Sequence, residues 1–170
     1  MLQDDLYREA AASFGGALER LARSYEADAD KRRDLLQEIH LGVWRSLTTF
    51  DGQCSLRTWV YRVAHNVAAS HIIRQRRLRS RDFVALDDVE PLTLASDDGS
   101  EVDHQQTISD LYSLIHRLNP LERQIILLYL EGLDAASIGE VVGISAGNVA
   151  TRVHRVKKIL AAGFGKETRP

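Results

Sequence analysis

The residues near the C-terminal end of the chain include a set that could hydrogen-bond to DNA. Over 145–158, polar and basic side chains recur at the spacing of one helix face. Such side chains can donate to phosphate oxygens and to base edges in a major groove. The members of this face are Ser145, Asn148, Thr151, Arg152, Arg155 and Lys158. The pattern therefore predicts a helix that reads duplex DNA.

A second set of cationic side chains lies in the middle of the chain. Between Asp51 and Asp82 there are seven arginines and no acidic residue, although the net charge of the whole chain is only −2. Segregated positive charge of this kind is typical of a surface that faces phosphates. The arginines are Arg57, Arg62, Arg74, Arg76, Arg77, Arg79 and Arg81.

An acidic segment separates the two cationic regions. From Asp82 to Asp103 the chain has eight acidic residues and neither Lys nor Arg, and it contains Pro91 and Gly99. Such composition, with weak apolar periodicity, is typical of a linker. We therefore predict domains at 1–81 and 105–162, a linker at 82–104 and a tail at 163–170.

Apolar residues recur at helical spacing throughout both predicted domains, and no segment alternates with the period of a strand. In the first domain, stripes are expected on helices that carry Phe14 to Tyr25, Leu36 to Leu47 and Leu56 to Val67. In the second, a helix is expected from about Thr107 to Leu118. The fold class predicted is all-α, with two small helical domains.

Local signals divide the second domain into helices. Asn119 precedes a proline at the first helical position, with Glu122 placed to reach back to the cap, and Gly132 ends that helix. Asp134 begins a short helix, in which Gly139 permits close approach of another helix. Gly143 then turns the chain before Ser145. This order predicts a helix-turn-helix, and an ordinary helical hairpin with a solvated basic face is the alternative.

The sequence offers little for catalysis. Cys54 is the only cysteine, and His65 and His71 lie about 240° apart around a helix, so they cannot share a metal. No apolar stretch reaches the roughly 20 residues of a membrane span, and the N-terminal residues do not resemble a signal peptide. We expect no catalytic residue, no metal, no cofactor and no membrane insertion, in a cytoplasmic protein that is not an enzyme.

Two motifs in the correct order resemble a known family. The first comprises Asp34 to Glu38, Val43 to Leu47, Phe50 to Gly52 and Ser55 to Asn66; it closely resembles region 2 of bacterial RNA polymerase sigma factors of the extracytoplasmic-function group. The helix-turn-helix half, from Leu118 to Arg155, resembles region 4 of the same proteins. Together these segments span nearly the whole chain.

The resemblance implies roles for particular residues. The face expected to bind core RNA polymerase comprises Asp34, Gln37, Glu38, Leu41 and Arg45. The set expected to bind and open the −10 element comprises Phe50, Gly52, Ser55, Arg57, Arg62, Asn66, Arg74, Arg76 and Arg77. The predicted DNA-reading face would bind the −35 element.

The resemblance thus implies a sigma factor that binds core RNA polymerase and directs promoter recognition and DNA opening. Its partners would be core polymerase, promoter DNA and an anti-sigma factor. The alternative is a stand-alone helix-turn-helix regulator with an unrelated N-terminal domain, which would bind its operator without polymerase.

The acidic segment generates a prediction of its own. We expect it either to occupy a positively charged channel of polymerase or to shield the basic domains in the free protein. Neutralising Asp87, Asp88, Asp97 and Asp98 should then alter start-site use or raise non-specific DNA binding by the free subunit. Transcript mapping and salt-dependent DNA binding measure the two effects. If neither changes, the segment serves only as a tether.

Overall fold

The computed structural model describes residues 2–81 and 100–167, and the side chains of 2–80 and 104–164. In these ranges the chain is helical and contains no strand, which confirms the predicted fold class. The α-helices are α1 (Leu2–Tyr25), α2 (Ala29–Ser46), α3 (Leu56–Arg81), α4 (Ser100–His116), α5 (Pro120–Leu130), α6 (Ala135–Val142) and α7 (Ala146–Glu167). A single 3₁₀ turn (Leu47–Thr49) follows α2.

The first three helices pack against one another as a bundle. Apolar side chains on each helix face the common axis, as the periodicity predicts, but the buried register differs slightly from expectation. Leu35 rather than Leu36 is fully buried on α2. On α3 the buried stripe follows Val60, Ala64 and Ala68; Val60 is buried as expected, whereas Leu56, Val63 and Val67 are only partly buried beside it. Small alanines at the centre of the stripe let α3 approach its neighbours closely.

Helix ends in both halves follow the local sequence signals. The carboxylate of Asp28 accepts from the backbone N–H groups of Lys31 and Asp30 at the start of α2, which lowers the pKa of Asp28. Asn119 caps α5, and Asp134 caps α6 by accepting from the N–H of Ser137 at 2.7 Å. The same hydrogen bond lowers the pKa of Asp134.

The two halves share apolar contacts. Helix α4 packs on α1 and on α7, so Leu114, Ile115 and Leu118 join a core that also contains Leu18 and Tyr25. Helix α6 packs against α3. The described parts of the two helical domains therefore pack directly against each other.

Two helices extend past the predicted domain limits. Helix α4 begins at Ser100, inside the predicted linker and before the expected start near Thr107. Helix α7 continues to Glu167, beyond the predicted start of a tail. Gly163 explains why: a Cβ there would lie 2.6 Å from a methyl group of Leu114, so the glycine lets α7 pack on α4, and Phe164 packs on the same core.

A buried polar network lies where the halves meet. The hydroxyl of Tyr25 is 3.1 Å from Nδ1 of the fully buried His65, and the guanidinium of Arg123 lies over the Tyr25 ring. Arg123 donates to the carbonyl oxygens of His116 and Leu118, which closes the C-terminal end of α4. Burial raises the pKa of Tyr25 and lowers that of Arg123.

The burial of His65 predicts acid sensitivity. Burial lowers its pKa from 6.5 to about 3, so the folded protein holds the ring neutral while the unfolded chain binds a proton below about pH 6.5. The free energy of unfolding should therefore decrease as the pH is lowered from about 6.5 to about 3. From pH 7.5 to 5.5 the loss due to His65 should be about 1 kcal/mol. Burial also lowers the pKa of His40 and His116, which adds to the loss.

Urea unfolding of the wild type and His65→Gln at both pH values measures this effect. Glutamine retains hydrogen-bonding groups but does not titrate, so the variant should lose about 1 kcal/mol less between the two pH values than the wild type. The difference between pH values is the readout, because the substitution also changes stability at neutral pH. Equal losses in both proteins would contradict the assignment.

Candidate nucleic-acid interface

Helices α6 and α7 form the predicted helix-turn-helix. Gly143 has φ +81°, the left-handed conformation that glycine adopts without strain, and its N–H bonds to the carbonyl of Gly139. A Cβ on Gly139 would lie 2.5 Å from the carbonyl oxygen of Ile144. Two glycines thus permit the tight turn. Ile138, Val141 and Val149 are buried beneath it, which fixes α7 against α6.

The polar face of α7 is directed away from this core. Ser145, Asn148, Thr151, Arg155 and Lys158 are exposed, and Arg152 is half-buried. The Ser145 hydroxyl accepts from the N–H of Asn148, which caps the helix as predicted. Asn148 Oδ1 accepts from Nε of Arg152 at 2.9 Å. That bond leaves the terminal nitrogens of Arg152 available for another acceptor.

Arg155 differs from the other members of this face because it is paired inside the protein. Its guanidinium contacts the carboxylate of Glu122, whose side chain is 8% exposed. The expectation that Glu122 reaches back to the cap of α5 is corrected: the carboxylate turns to Arg155 instead. An ion pair to a buried carboxylate holds the guanidinium in one orientation.

The arginines of α3 lie in different environments. Arg57, Arg76 and Arg77 are exposed at the two ends of the helix. Arg62 donates to the backbone carbonyl of Glu140 on α6 at 2.6 Å. Arg74 donates to Glu38 on α2 at 2.6 Å. Two members of the predicted phosphate-binding set are therefore engaged within the protein.

The loop between α2 and α3 is only partly open. The Phe50 ring packs edge-on against Trp59 with centroids 5.4 Å apart, and the Trp59 indole donates to Ser46. The Ser55 hydroxyl accepts from the N–H of Thr58, so it caps α3. The exposed tip consists of Asp51, Gly52 and Gln53, with Gly52 at φ +74°.

The predicted polymerase-binding residues share one face of α2. Asp34, Gln37, Leu41 and Arg45 are exposed and Glu38 is half-buried; the Leu41 side chain is 45% exposed. A groove of about 500 Å³ separates this face from α3. The lining residues are Glu38, Leu41, Gly42, Arg45, Val63, Asn66, Val67, Ser70 and Arg74.

This groove changes the expected grouping of residues. The resemblance groups Asn66 with the loop that begins at Phe50, yet Asn66 lies beside Glu38 and Arg45, and neither Phe50 nor Ser55 lines the groove. The sequence places Asn66 seven residues after Trp59, which is roughly 10 Å along the helix axis. The structure therefore separates Asn66 from the loop and brings it to the α2 face.

Other reactive groups are dispersed. Among the residues that the structure describes, no three His, Cys, Asp or Glu side chains are grouped so that they could hold a metal ion. Cys54 is a free, half-buried thiol. His71 is buried beside Glu26, and His116 bonds to the carbonyl oxygen of Arg23, so both serve the packing of α1. Within the described helices, none has the length and apolar character of a membrane span.

Comparison with known proteins matches both halves. Residues 5–78 match the family model described as sigma-70 region 2, and residues 108–160 match sigma-70 region 4. The RNA polymerase sigma factor NccH of Alcaligenes xylosoxydans xylosoxydans is 30% identical over 155 residues, covering 87% of this chain and 81% of that one. The chain belongs to the sigma-70 family, in its extracytoplasmic-function group.

Further relatives agree. The RNA polymerase sigma-H factor of Pseudomonas aeruginosa is 30% identical over 146 residues, covering 78% of this chain and 72% of that one. The fold is similar to that of the sigma factor RpoE of Bartonella quintana, solved in complex with the anti-sigma factor NepR, with a TM-score of 0.71, 21% identity and coverage of 96% and 98%. The chain is an RNA polymerase sigma factor, and sigma factors are transcription initiation factors.

The environment of the two arginines on α7 generates a prediction for this sigma factor. Arg152 is oriented by Asn148 and has free donors, so Arg152→Ala should cost roughly 1 to 3 kcal/mol at one position of the −35 element and relax the preference there. Arg155→Ala leaves the buried Glu122 carboxylate unpaired, so it should also lower the melting temperature.

Binding of a panel of single-base promoter variants, with thermal unfolding of each protein, checks both outcomes. A uniform loss across the panel for Arg152→Ala would reassign that side chain to phosphate contact. Absence of any loss would remove it from the interface.

Proposed function

We propose that this sigma factor binds core RNA polymerase through the exposed face of α2, opens the −10 element with α3 and its preceding loop, and reads the −35 element with α7. The observation that carries the proposal is the presentation of α7: two glycines and a buried apolar stripe fix the helix, while Arg152 keeps free donors on its outer face. It acts as a binding subunit in the cytoplasm and carries no catalytic group of its own.

The α2 face suits a protein partner. Asp34, Gln37 and Arg45 form a polar surface around the exposed Leu41, and the adjoining groove provides a concavity into which a partner side chain can insert. A small apolar centre surrounded by polar groups is typical of a protein interface. The Glu38–Arg74 ion pair joins this surface to α3, so polymerase binding and DNA binding are adjacent on the molecule.

The −10 set acts by two kinds of contact. Arg57, Arg76 and Arg77 are exposed and can hold phosphates of the separated strand. Asn66 offers an amide to a base edge at the groove, and the exposed tip around Gly52 lets a strand approach the backbone. Extracting a base costs a few kcal/mol of stacking and pairing, which contacts of this kind must offset.

Arg62 requires a change of contacts before it can join this set. Its guanidinium is bound to the carbonyl of Glu140, where α6 packs on α3. We propose that α6 leaves α3 when the protein engages the promoter, which releases Arg62 to a phosphate. The packed arrangement would then be a resting form of the free subunit.

An anti-sigma factor is the proposed regulatory partner. The structurally similar Bartonella protein was solved with such a factor, as was CnrH, solved with the cytosolic domain of CnrY and similar to this chain with a TM-score of 0.68. Co-purification with a candidate partner, followed by loss of polymerase binding, would test this part of the proposal.

The stand-alone regulator is not favoured, because the N-terminal half matches region 2 rather than an unrelated sensing domain. Run-off transcription with purified core polymerase on genomic fragments tests the proposed function. We expect specific transcripts only when both proteins are present. Tight, specific operator binding without core polymerase, and no transcript with it, would instead support a regulator.

The position of Asn66 generates a prediction for strand opening. Asn66→Ala combined with replacement of 51–53 by Ala-Ser-Ala should leave core binding and −35 contact intact while strongly reducing opening, because both base-directed groups are removed. Fluorescence of a base analogue at the −10 element measures the opening rate. Gln105→Ala, an exposed polar substitution on α4, is the matched control. If the analogue brightens at the normal rate with this combined variant, opening is driven from elsewhere.

A further inference from the structure

A cationic cleft lies between α1 and α2 on the side of the molecule away from the proposed polymerase surface. Its volume is about 520 Å³, within the usual range of small-molecule sites. Four arginines, Arg20, Arg23, Arg32 and Arg33, line it with Glu19 and Tyr112. None of these residues belongs to the proposed polymerase or promoter contacts.

The cleft is separate from the polymerase surface because it lies on a different face of α2. Ala29 lines the cleft, and Glu38 lines the polymerase groove. They are nine residues apart, which at 3.6 residues per turn places them roughly 180° apart around the helix. Only Arg33, four residues before Gln37, lies on the flank of α2 next to the polymerase surface.

The four guanidinium groups differ in what they contact. Arg23 lies over the ring of Tyr112 on α4, 4.4 Å from its centroid. Arg32 makes no hydrogen bond or ion pair with any described side chain, and Arg33 is 3.9 Å from an exposed Asp30. An exposed pair at that distance contributes little. Three of the four arginines are therefore available to an anion.

Arg20 is the fourth, and it is already paired. Its guanidinium donates twice to the carboxylate of Glu131 at the end of α5, at 2.6 and 2.8 Å. Gly16 makes room for it, since a Cβ there would lie 3.3 Å from the guanidinium. The two carboxylate oxygens accept side by side from one guanidinium, and two oxygens of a phosphate group can bind a guanidinium in the same way.

We propose that this cleft binds a small molecule that carries a chain of phosphates, either a nucleoside polyphosphate or an inorganic oligophosphate. Planar guanidinium groups bind phosphate oxygens in pairs, and several of them around one concave site favour more than one phosphate. The excess of four arginines over the single Glu19 among the lining residues excludes a cationic ligand. The cleft is concave, and Tyr112 of α4 closes one side of it, so a small ligand fits it better than a DNA duplex does.

Calorimetric titration of the whole chain with inorganic tripolyphosphate and with a nucleoside triphosphate, at about 0.15 M ionic strength, tests the proposal. Arg23→Gln with Arg32→Gln should weaken binding of both probes at least about tenfold. Arg8→Gln with Lys157→Gln removes the same charge outside the cleft and should change affinity little. Equal losses in both double variants, or no binding of either probe below about 1 mM, would overturn the proposal.

Glu131→Gln provides a gain of affinity that a poorly folded variant would not produce. It releases Arg20 and removes a competing carboxylate, so tripolyphosphate should bind several-fold more tightly. Unchanged or weaker binding would contradict the cleft assignment. Displacement of bound tripolyphosphate by a short DNA duplex, in the wild type but not in the Arg23–Arg32 variant, would make the cleft part of a DNA surface and would also overturn the proposal.

The two sources of the phosphate chain give different results. Equal affinity for both probes identifies the phosphate chain itself as the ligand. Tighter binding of the nucleoside triphosphate by about tenfold, lost in Tyr112→Leu, identifies a nucleotide whose base contacts the Tyr112 side of the cleft. Binding is measured without polymerase, so failure here would leave the proposed promoter function standing.

Discussion

The packing of α4 against α1 is the contact on which the arrangement of the whole molecule depends. Leu114, Ile115 and Leu118 enter the core around Leu18 and Tyr25, and this places α5, α6 and α7 against the first bundle. Apolar contact of this kind is non-directional, so it brings the halves together without fixing their orientation. Polar contacts at its edges supply the direction: Arg20 with Glu131, Arg62 with the carbonyl of Glu140, and His116 with the carbonyl of Arg23.

One of these polar contacts uses a group that the proposed −10 contact would need. Arg62 can serve either the Glu140 carbonyl or a phosphate, because one guanidinium cannot span both places. The energetic difference is small, since a hydrogen bond to a charged group contributes about 1.5 to 3 kcal/mol net. Polyanionic DNA, with many phosphates along one strand, competes well against a single carbonyl. In the proposed function, the packed form organises the free subunit and gives way when promoter phosphates replace the Glu140 carbonyl at Arg62.

Features that depend on neighbouring residues could be predicted from the sequence, whereas contacts between distant residues could not. Asn119, Asp134 and Gly143 were predicted correctly because a cap or a left-handed turn depends on residues within a few positions. The expectation for Glu122 was wrong because its carboxylate can meet either a nearby backbone N–H or a distant guanidinium, and only the tertiary fold decides between them. The pairing of Glu122 with Arg155, 33 residues away, leaves no local trace in the sequence.

The cationic cleft was missed for a related reason. Arg20 and Arg23 occur on α1 among acidic and apolar residues, and Arg32 and Arg33 lie next to Asp30 and Asp34, so neither segment has an unusual net charge. The charge appears only when α1 and α2 pack side by side and bring the four guanidinium groups to one concave surface. A run of like charges in the sequence reveals a charged surface on a single helix such as α3. A compact site formed by two helices depends instead on which face of each helix is exposed once the core has packed. The buried stripe of Leu35, Ile39 and Val43 sets that face on α2, so the packing of the apolar core determines where the arginines are displayed.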